Sequence, residues 1–171
     1  LAERKVTAAA RIVLMEAQSP SFKSVIFSEF IENAEAIMLQ LEILGFKAGI
    51  YHSGLSRQER IEVMDAFRND RVNVLISCKA LEEGLNVPNA NLGIIVGGSG
   101  VKRQIVQRLG RILRHLPGKT ARLYQIYVAD SQDEKWLSKR TAVVSKEAIS
   151  VKNLDWRGKD WRGKDGSNNN R

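Results

Sequence analysis

The chain has 171 residues and a mass of 19.2 kDa, room for one ordinary domain with appendages and too little for two. Hydrophobic residues at 43% support a buried core and exclude global disorder, while 27 Lys+Arg against 19 Asp+Glu leave +8, a balance that favours polyanionic partners, nucleic acid ahead of acidic membrane. One cysteine excludes a disulfide framework and a cysteine-based zinc site and fits a reducing compartment, and no apolar run reaches the roughly 18–20 residues of a membrane span.

The chain opens with a predicted amphipathic helix over Ala2–Ala17, ended by Gln18-Ser19-Pro20. Leu1 in place of methionine, without a secretory signal pattern, suggests a fragment. Ser24–Ser28 (SVIFS) is an apolar run of strand length. Ala34, Ile37, Met38, Leu41 and Leu44 then recur at helical spacing from Ile31 to Leu44, and Gly45 stops that helix at a C-cap. Ala48–His52 reads as the next strand. Ser56 with Glu59 three residues on is a capping box, opening a helix with Ile61, Met64 and Phe67 on one face. Strands follow at Asn73–Ser77 and Leu92–Val96, a helix from about Val101 to Leu113, and a strand over Arg122–Tyr127.

Strands alternating with helices make βαβ units and a mostly parallel sheet, so the fold class is α/β. Past Asp130 the pattern weakens, with a helix expected over Glu134–Lys146. WRGKD then repeats at 156–160 and 161–165 ahead of GSNNNR. Tryptophan beside arginine could stack on bases, but two copies of five residues cannot bury a core, and a flexible tail is the preferred reading. The expected division is 1–20 for an N-terminal helix and linker, 21–130 for the domain, and 131–171 for an extension, partly helical and then flexible.

The excess charge is unevenly placed. No acidic residue lies between Glu83 and Asp130, where Lys102, Arg103, Arg108, Arg111, Arg114, Lys119 and Arg122 stand. Within this stretch, QIVQRLGRILR at 104–114 puts Gln104, Gln107, Arg111 and Arg114 along one helical stripe, with Ile105, Leu109 and Ile112 opposite. Such a helix can pack on a sheet and present guanidinium groups outward. The planar fork of arginine holds phosphate oxygens bidentately and stays charged. Taken alone the segment is equally a solvated basic helix.

Four segments occur in series: SVIFSEF at 24–30, YHSGLSRQER at 51–60, VLISCKALEEGLNVPNANLGIIVGGSG at 74–100 and QRLGRILR at 107–114. The series resembles motifs IV, IVa, V and VI of the second RecA-like domain of superfamily 2 helicases, over about residues 22–128. GSG ahead of the helix and the wording QRLGRILR resemble the XPB type, the DNA repair and transcription helicases. The resemblance implies a three-layer RecA-like domain, a mostly parallel central sheet flanked by helices, serving an ATP-dependent DNA helicase or translocase.

It also implies roles. Gln107, Arg111 and Arg114 match the motif VI positions that reach across an interdomain cleft to ATP, with Arg111 and Arg114 as arginine fingers. Arg108 matches a neighbouring arginine that is either structural or linked to motif V. Gly84 matches the motif V glycine, whose missing side chain lets backbone approach the ribose. Two positions on, the family usually has aspartate; here Asn86 can hydrogen-bond a ribose hydroxyl but carries no charge. Ser28 and Ser77, at the ends of the motif IV and V strands, match contacts to the nucleic-acid backbone, which grip phosphate without reading sequence. Taken alone, each serine reads first as a strand-end hydrogen-bonding group. Ser53, Gly54 and Arg57 are the next candidates, and Lys102 and Arg103 serve either DNA or solubility.

A complete motor also needs a Walker A loop and a DExH-type carboxylate pair. The Walker pattern requires glycine at 113, where Leu113 stands, so Gly118-Lys119-Thr120 is a decoy after Pro117. Glu82-Glu83 reads as solvated charge, and His52, Cys78 and His115 lack metal-ligand spacing, so no metal site is expected. The implied cofactor is ATP with Mg²⁺, the metal held by an N-terminal RecA-like domain outside this chain. The implied partners are DNA, that N-terminal domain, and repair or transcription proteins, with no membrane, in the cytoplasm or a eukaryotic nucleus. The alternatives are a non-catalytic helicase-like DNA- or protein-binding module and a flavodoxin-type domain. The latter would want a glycine-rich loop where Ser28-Glu29-Phe30 stands.

Overall fold

The structure, a computed structural model, describes residues 2–18, 21–78, 90–97 and 121–128, together with 107, 109, 112, 113, 131 and 132. Its elements are α1 (Ala2–Glu16), β1 (Ser24–Ser28), α2 (Ile31–Ile43), β2 (Ala48–His52), α3 (Arg57–Arg68), β3 (Val74–Cys78), β4 (Leu92–Val96) and β5 (Arg122–Ile126). Each expected strand and helix in these spans is present, with ends moved by a residue at β3, β5, α1 and α2. The expected helix at 134–146 and the WRGKD repeats lie outside the described residues.

The strands form one parallel sheet in the order β2-β3-β1-β4-β5. The three central strands are buried throughout, which is why SVIFS, VLISC and LGIIV read as near-continuous apolar runs and not as alternating ones. On one face α1 and α2 pack Val6, Ala9, Ala10, Val13, Ala34, Ile37 and Leu41 against Ile26, Ile76 and Ile94. On the other, Met64 and Phe67 of α3 join Leu109, Ile112 and Leu113 against Val25, Phe27, Leu75 and Ile95. These are the three layers expected of the sequence.

Local signals set the helix ends. After α2, the Phe46 amide donates to the Leu41 carbonyl and the Gly45 amide to that of Glu42, a Schellman closure with Gly45 at φ 84°. That left-handed conformation favours glycine. At α3 the Ser56 hydroxyl accepts from the Glu59 amide at 3.2 Å, and Glu59 Oε2 accepts from the Ser56 amide at 2.7 Å. The capping box therefore forms as the sequence predicts. Lys23 closes the other end of α3, its Nζ 2.8 Å from both the Phe67 carbonyl and Asp70 Oδ1 and 5.0 Å above the Phe67 ring. A cation at a helix C-terminus complements the carbonyl dipoles, and here it ties α3 to the start of β1.

The N-terminal helix shares the core and also locks it. Glu16, at the end of α1, accepts from Arg122 Nη1 at 2.8 Å through each carboxylate oxygen and from the Tyr124 hydroxyl at 2.6 Å. These bonds fasten α1 to β5 across 106 and 108 residues of sequence.

Candidate functional site

In a parallel sheet the loops at the carboxyl ends of the strands gather at one edge, where ligands of open α/β sheets bind. Ser28, Ser53, Gly54, Arg57 and Ser77 all come to this edge, at the ends of β1, β2 and β3 and the start of α3.

The two serines near the strand ends do not present their hydroxyls to solvent. Both are fully buried. Ser28 Oγ donates to the Phe30 carbonyl at 2.9 Å, and Ser77 Oγ is enclosed without a hydrogen-bond partner among the described residues. The register puts Ser77 beside Phe27 and Tyr51, within the layer beneath α3. Strand-end burial is the physical reason: the central strands stay covered on both faces to their last residue.

The β2–α3 loop is different. Ser53, Gly54 and Arg57 are exposed, and the Gly54 amide donates to His52 Nδ1 at 3.1 Å, which holds the turn. This bond gives His52 a structural task. The Glu59 carboxyl is held below the usual carboxylate range by its bonds to Ser56, with His52 adding a smaller attraction. The acid of the first turn of α3 is thus engaged in capping.

Of the helix expected from about Val101 to Leu113 the structure describes Gln107, Leu109, Ile112 and Leu113. Gln107 is exposed, whereas Leu109, Ile112 and Leu113 are buried in the α3 layer. The Leu113 amide donates to the Leu109 carbonyl at 2.9 Å, one helical turn back. Close approach of this turn to the sheet depends on Gly93 of β4. A Cβ there would lie 2.8 Å from Leu113 Cδ1 and 3.0 Å from Leu123 Cδ1, inside contact distance. Gly84, Asn86, Lys102, Arg103, Arg108, Arg111 and Arg114 lie outside the described residues.

Sequence reasoning passed over two further arginines. Arg60 and Arg68 join Arg57, Tyr51, Ile61 and Met64 around a groove of about 220 Å³ between β2 and α3. The signal was there in the spacing: residues 57, 60, 61, 64 and 68 recur at helical intervals.

Known proteins share this architecture. Residues 4–116 match the family model for the helicase conserved C-terminal domain. The chain is 42% identical over 84 residues to the DNA 3'-5' translocase XPB2 of Sulfurisphaera tokodaii, an alignment covering 49% of this chain and 19% of the relative. It is 31% identical over 118 residues to UvrABC system protein B of Fusobacterium nucleatum, covering 66% of this chain and 18% of that protein. The Pyrococcus furiosus Hef helicase domain superposes with a TM-score of 0.65 at 25% identity, covering 80% of this chain and 28% of that structure. The chain thus spans about a fifth of the length of the curated relatives it matches. The match begins inside α1, consistent with a first helix that shares the core. The chain belongs to the helicase conserved C-terminal domain family, with the RecA-like fold of a superfamily 2 second motor domain and a likeness to the XPB type.

Proposed function

We propose that the chain is the second motor domain of an ATP-dependent DNA helicase or translocase of the XPB type. It would complete an interdomain ATP site and grip the DNA backbone. One observation carries the reading: the segment 107–113 divides by face, with Gln107 outward and Leu109, Ile112 and Leu113 packed on the sheet. Arg111 and Arg114 follow Gln107 at intervals of four and seven, the spacing of one helical stripe.

The chemistry of the donor set suits a nucleotide triphosphate. Residues 84–129 hold cations and no carboxylate, so they match phosphate oxygens and give Mg²⁺ no ligand of the carboxylate kind. The metal would be held by an N-terminal RecA-like domain. ATP, when bound, supplies the phosphoryl group that passes to water. Arg111 and Arg114 would hold charge against the γ-phosphate as it transfers, Gln107 would orient the nucleotide from the same stripe, and Gly84 and Asn86 would meet the ribose. An arginine finger contributes about 10³–10⁵ in rate. On the nucleic-acid side the exposed loop Ser53–Gly54 with Arg57 is the best supported contact, and Lys102 and Arg103 extend it. Because the serine hydroxyls are buried, Ser28 and Ser77 would act there through their position at the strand ends. Repair or transcription proteins are the expected partners, inside the cell.

The test compares the full-length protein that carries this chain with the 171-residue chain alone. DNA should stimulate ATP hydrolysis by the former, and the latter should bind nucleotide weakly and hydrolyse essentially none. Turnover by the chain alone contradicts the half-site reading, and a full-length protein that binds DNA without hydrolysing ATP supports a non-catalytic module instead.

A further inference from the structure

The outer face of α2 is left uncovered by the described residues. Ala34, Ile37 and Leu41 are buried against the sheet, and at about 100° per residue Ala36, Leu39 and Ile43 fall on the side away from them. Leu39 is 59% and Ile43 77% exposed, while Phe30 and Ile31, at the start of the helix, are 53% and 41%. Large apolar side chains grouped in this way mark an interaction surface. The same face is acidic: Glu32, Glu35 and Glu42 are exposed, and α2 has no lysine or arginine. Among the described residues none of the three carboxylates has a cationic partner.

These carboxylates repel nucleic acid and acidic membrane. They also oppose a second copy, since a two-fold contact would set the same acids against each other. The chain itself holds a segment of complementary kind. WRGKDWRGK at 156–164 has two tryptophans and four cations against the single acid Asp160, and tryptophan and arginine are the side chains that most often anchor an interface. The order of groups agrees as well. On α2, Glu32 and Glu35 stand between Phe30–Ile31 and the Leu39–Ile43 pair; on the segment, Arg157 and Lys159 stand between Trp156 and Trp161. The two apolar pairs are about 15 Å apart along the helix, within the ~17 Å that five residues can span. Gly158 gives the backbone between the rings the freedom to turn both to one side. Reach is ample: residues 133–155 can extend about 75 Å, whereas β5 to β2 is about 19 Å across the sheet. Tethering also sets an effective concentration on the order of millimolar, so a weak contact fills the face.

We propose that the outer face of α2 is a docking surface for the WRGKD repeat of the same chain. Trp156 and Trp161 cover the two apolar pairs, and Arg157 and Lys159 face Glu32 and Glu35. The contact is independent of the ATP and DNA assignments.

Tryptophan fluorescence tests it, because Trp136, Trp156 and Trp161 are the only tryptophans and all follow Gln132. In the full chain carrying Trp136→Phe, acrylamide should quench Trp156 and Trp161 less than it quenches a synthetic peptide of residues 152–171. Their emission should also lie at shorter wavelength than the peptide's. Leu39→Ser with Ile43→Ser, on side chains already in water, should return both readings to the peptide's values. Glu32→Gln with Glu35→Gln should move them part of the way, as should added salt, and this pair carries the test if the serine pair folds poorly. Leu14→Ser with Met15→Ser removes another exposed apolar pair, from α1, and should change neither reading. Peptide-like readings before any α2 substitution, or protection that survives both α2 variants, overturns the docking. An equal loss in the α1 variant also overturns it, as contact without a defined site. Protection that falls on dilution assigns the face to a second copy, and protection that appears only with a single-stranded oligonucleotide assigns the repeat to nucleic acid. Either result overturns the proposal.

Discussion

The two edges of the sheet use arginine in opposite ways. At the β5 edge, Arg122 is spent on Glu16, whose carboxylate also accepts from Tyr124 and is only 16% exposed. At the β2 edge, Arg57 and Arg60 line an open groove with no acid among its described lining residues. The chemistry of the side chain is the same in both places, and what differs is whether a carboxylate has been supplied. A supplied partner makes the arginine part of the fold. A withheld one leaves a cation whose desolvation and pairing remain available to a ligand.

If this contrast is sound, substitutions at the two edges should separate stability from binding. Glu16→Ala leaves the Tyr124 hydroxyl without its acceptor and undocks the end of α1, so it should cost about 1–3 kcal/mol in denaturant unfolding. Arg60→Ala should stay within about 0.5 kcal/mol of wild type, as surface substitutions usually do. Comparable losses at both sites would erase the distinction.

A smaller effect sharpens the same contrast through pH. Burial, with the bond to Glu16, raises the Tyr124 phenol from 10.0 to about 12. A raised acid keeps its proton longer in the folded state, so the folded chain binds more protons than the unfolded one between these values. The stabilisation is complete below about pH 10 and drains away as pH climbs toward the folded value. Tyr124→Phe should flatten this alkaline fall in melting temperature. At the other edge the sign is reversed: the lowered Glu59 carboxyl of the capping box contributes at neutral pH, and its contribution is lost as pH falls through the acid range.

These edges also show what could be read from the sequence. The strands, the Gly45 stop and the Ser56–Glu59 box were legible because each is written in residues a few positions apart. The Glu16–Arg122 lock was not, because its partners are 106 residues apart and no local pattern announces them. Burial of Ser28 and Ser77 escaped for a related reason. A motif fixes which residue stands at a strand end, whereas the depth of that end depends on the neighbouring strands, and β1 lies between β3 and β4. The basic stripe of α3 was legible in principle, since its spacing is helical, but only the position of β2 turns the stripe into a groove. For the 107–114 segment, the division into a buried and an outward face was visible in the periodicity and is met at Gln107, Leu109 and Ile112.

The central claim is that the outward face of that last segment completes an ATP site. Arg114→Ala in the full-length protein tests it most directly, with DNA-stimulated ATP hydrolysis and DNA affinity measured on the same preparation. A fall of about 10³-fold or more in turnover, with DNA binding largely intact, is the predicted result. Hydrolysis at the wild-type rate would contradict it.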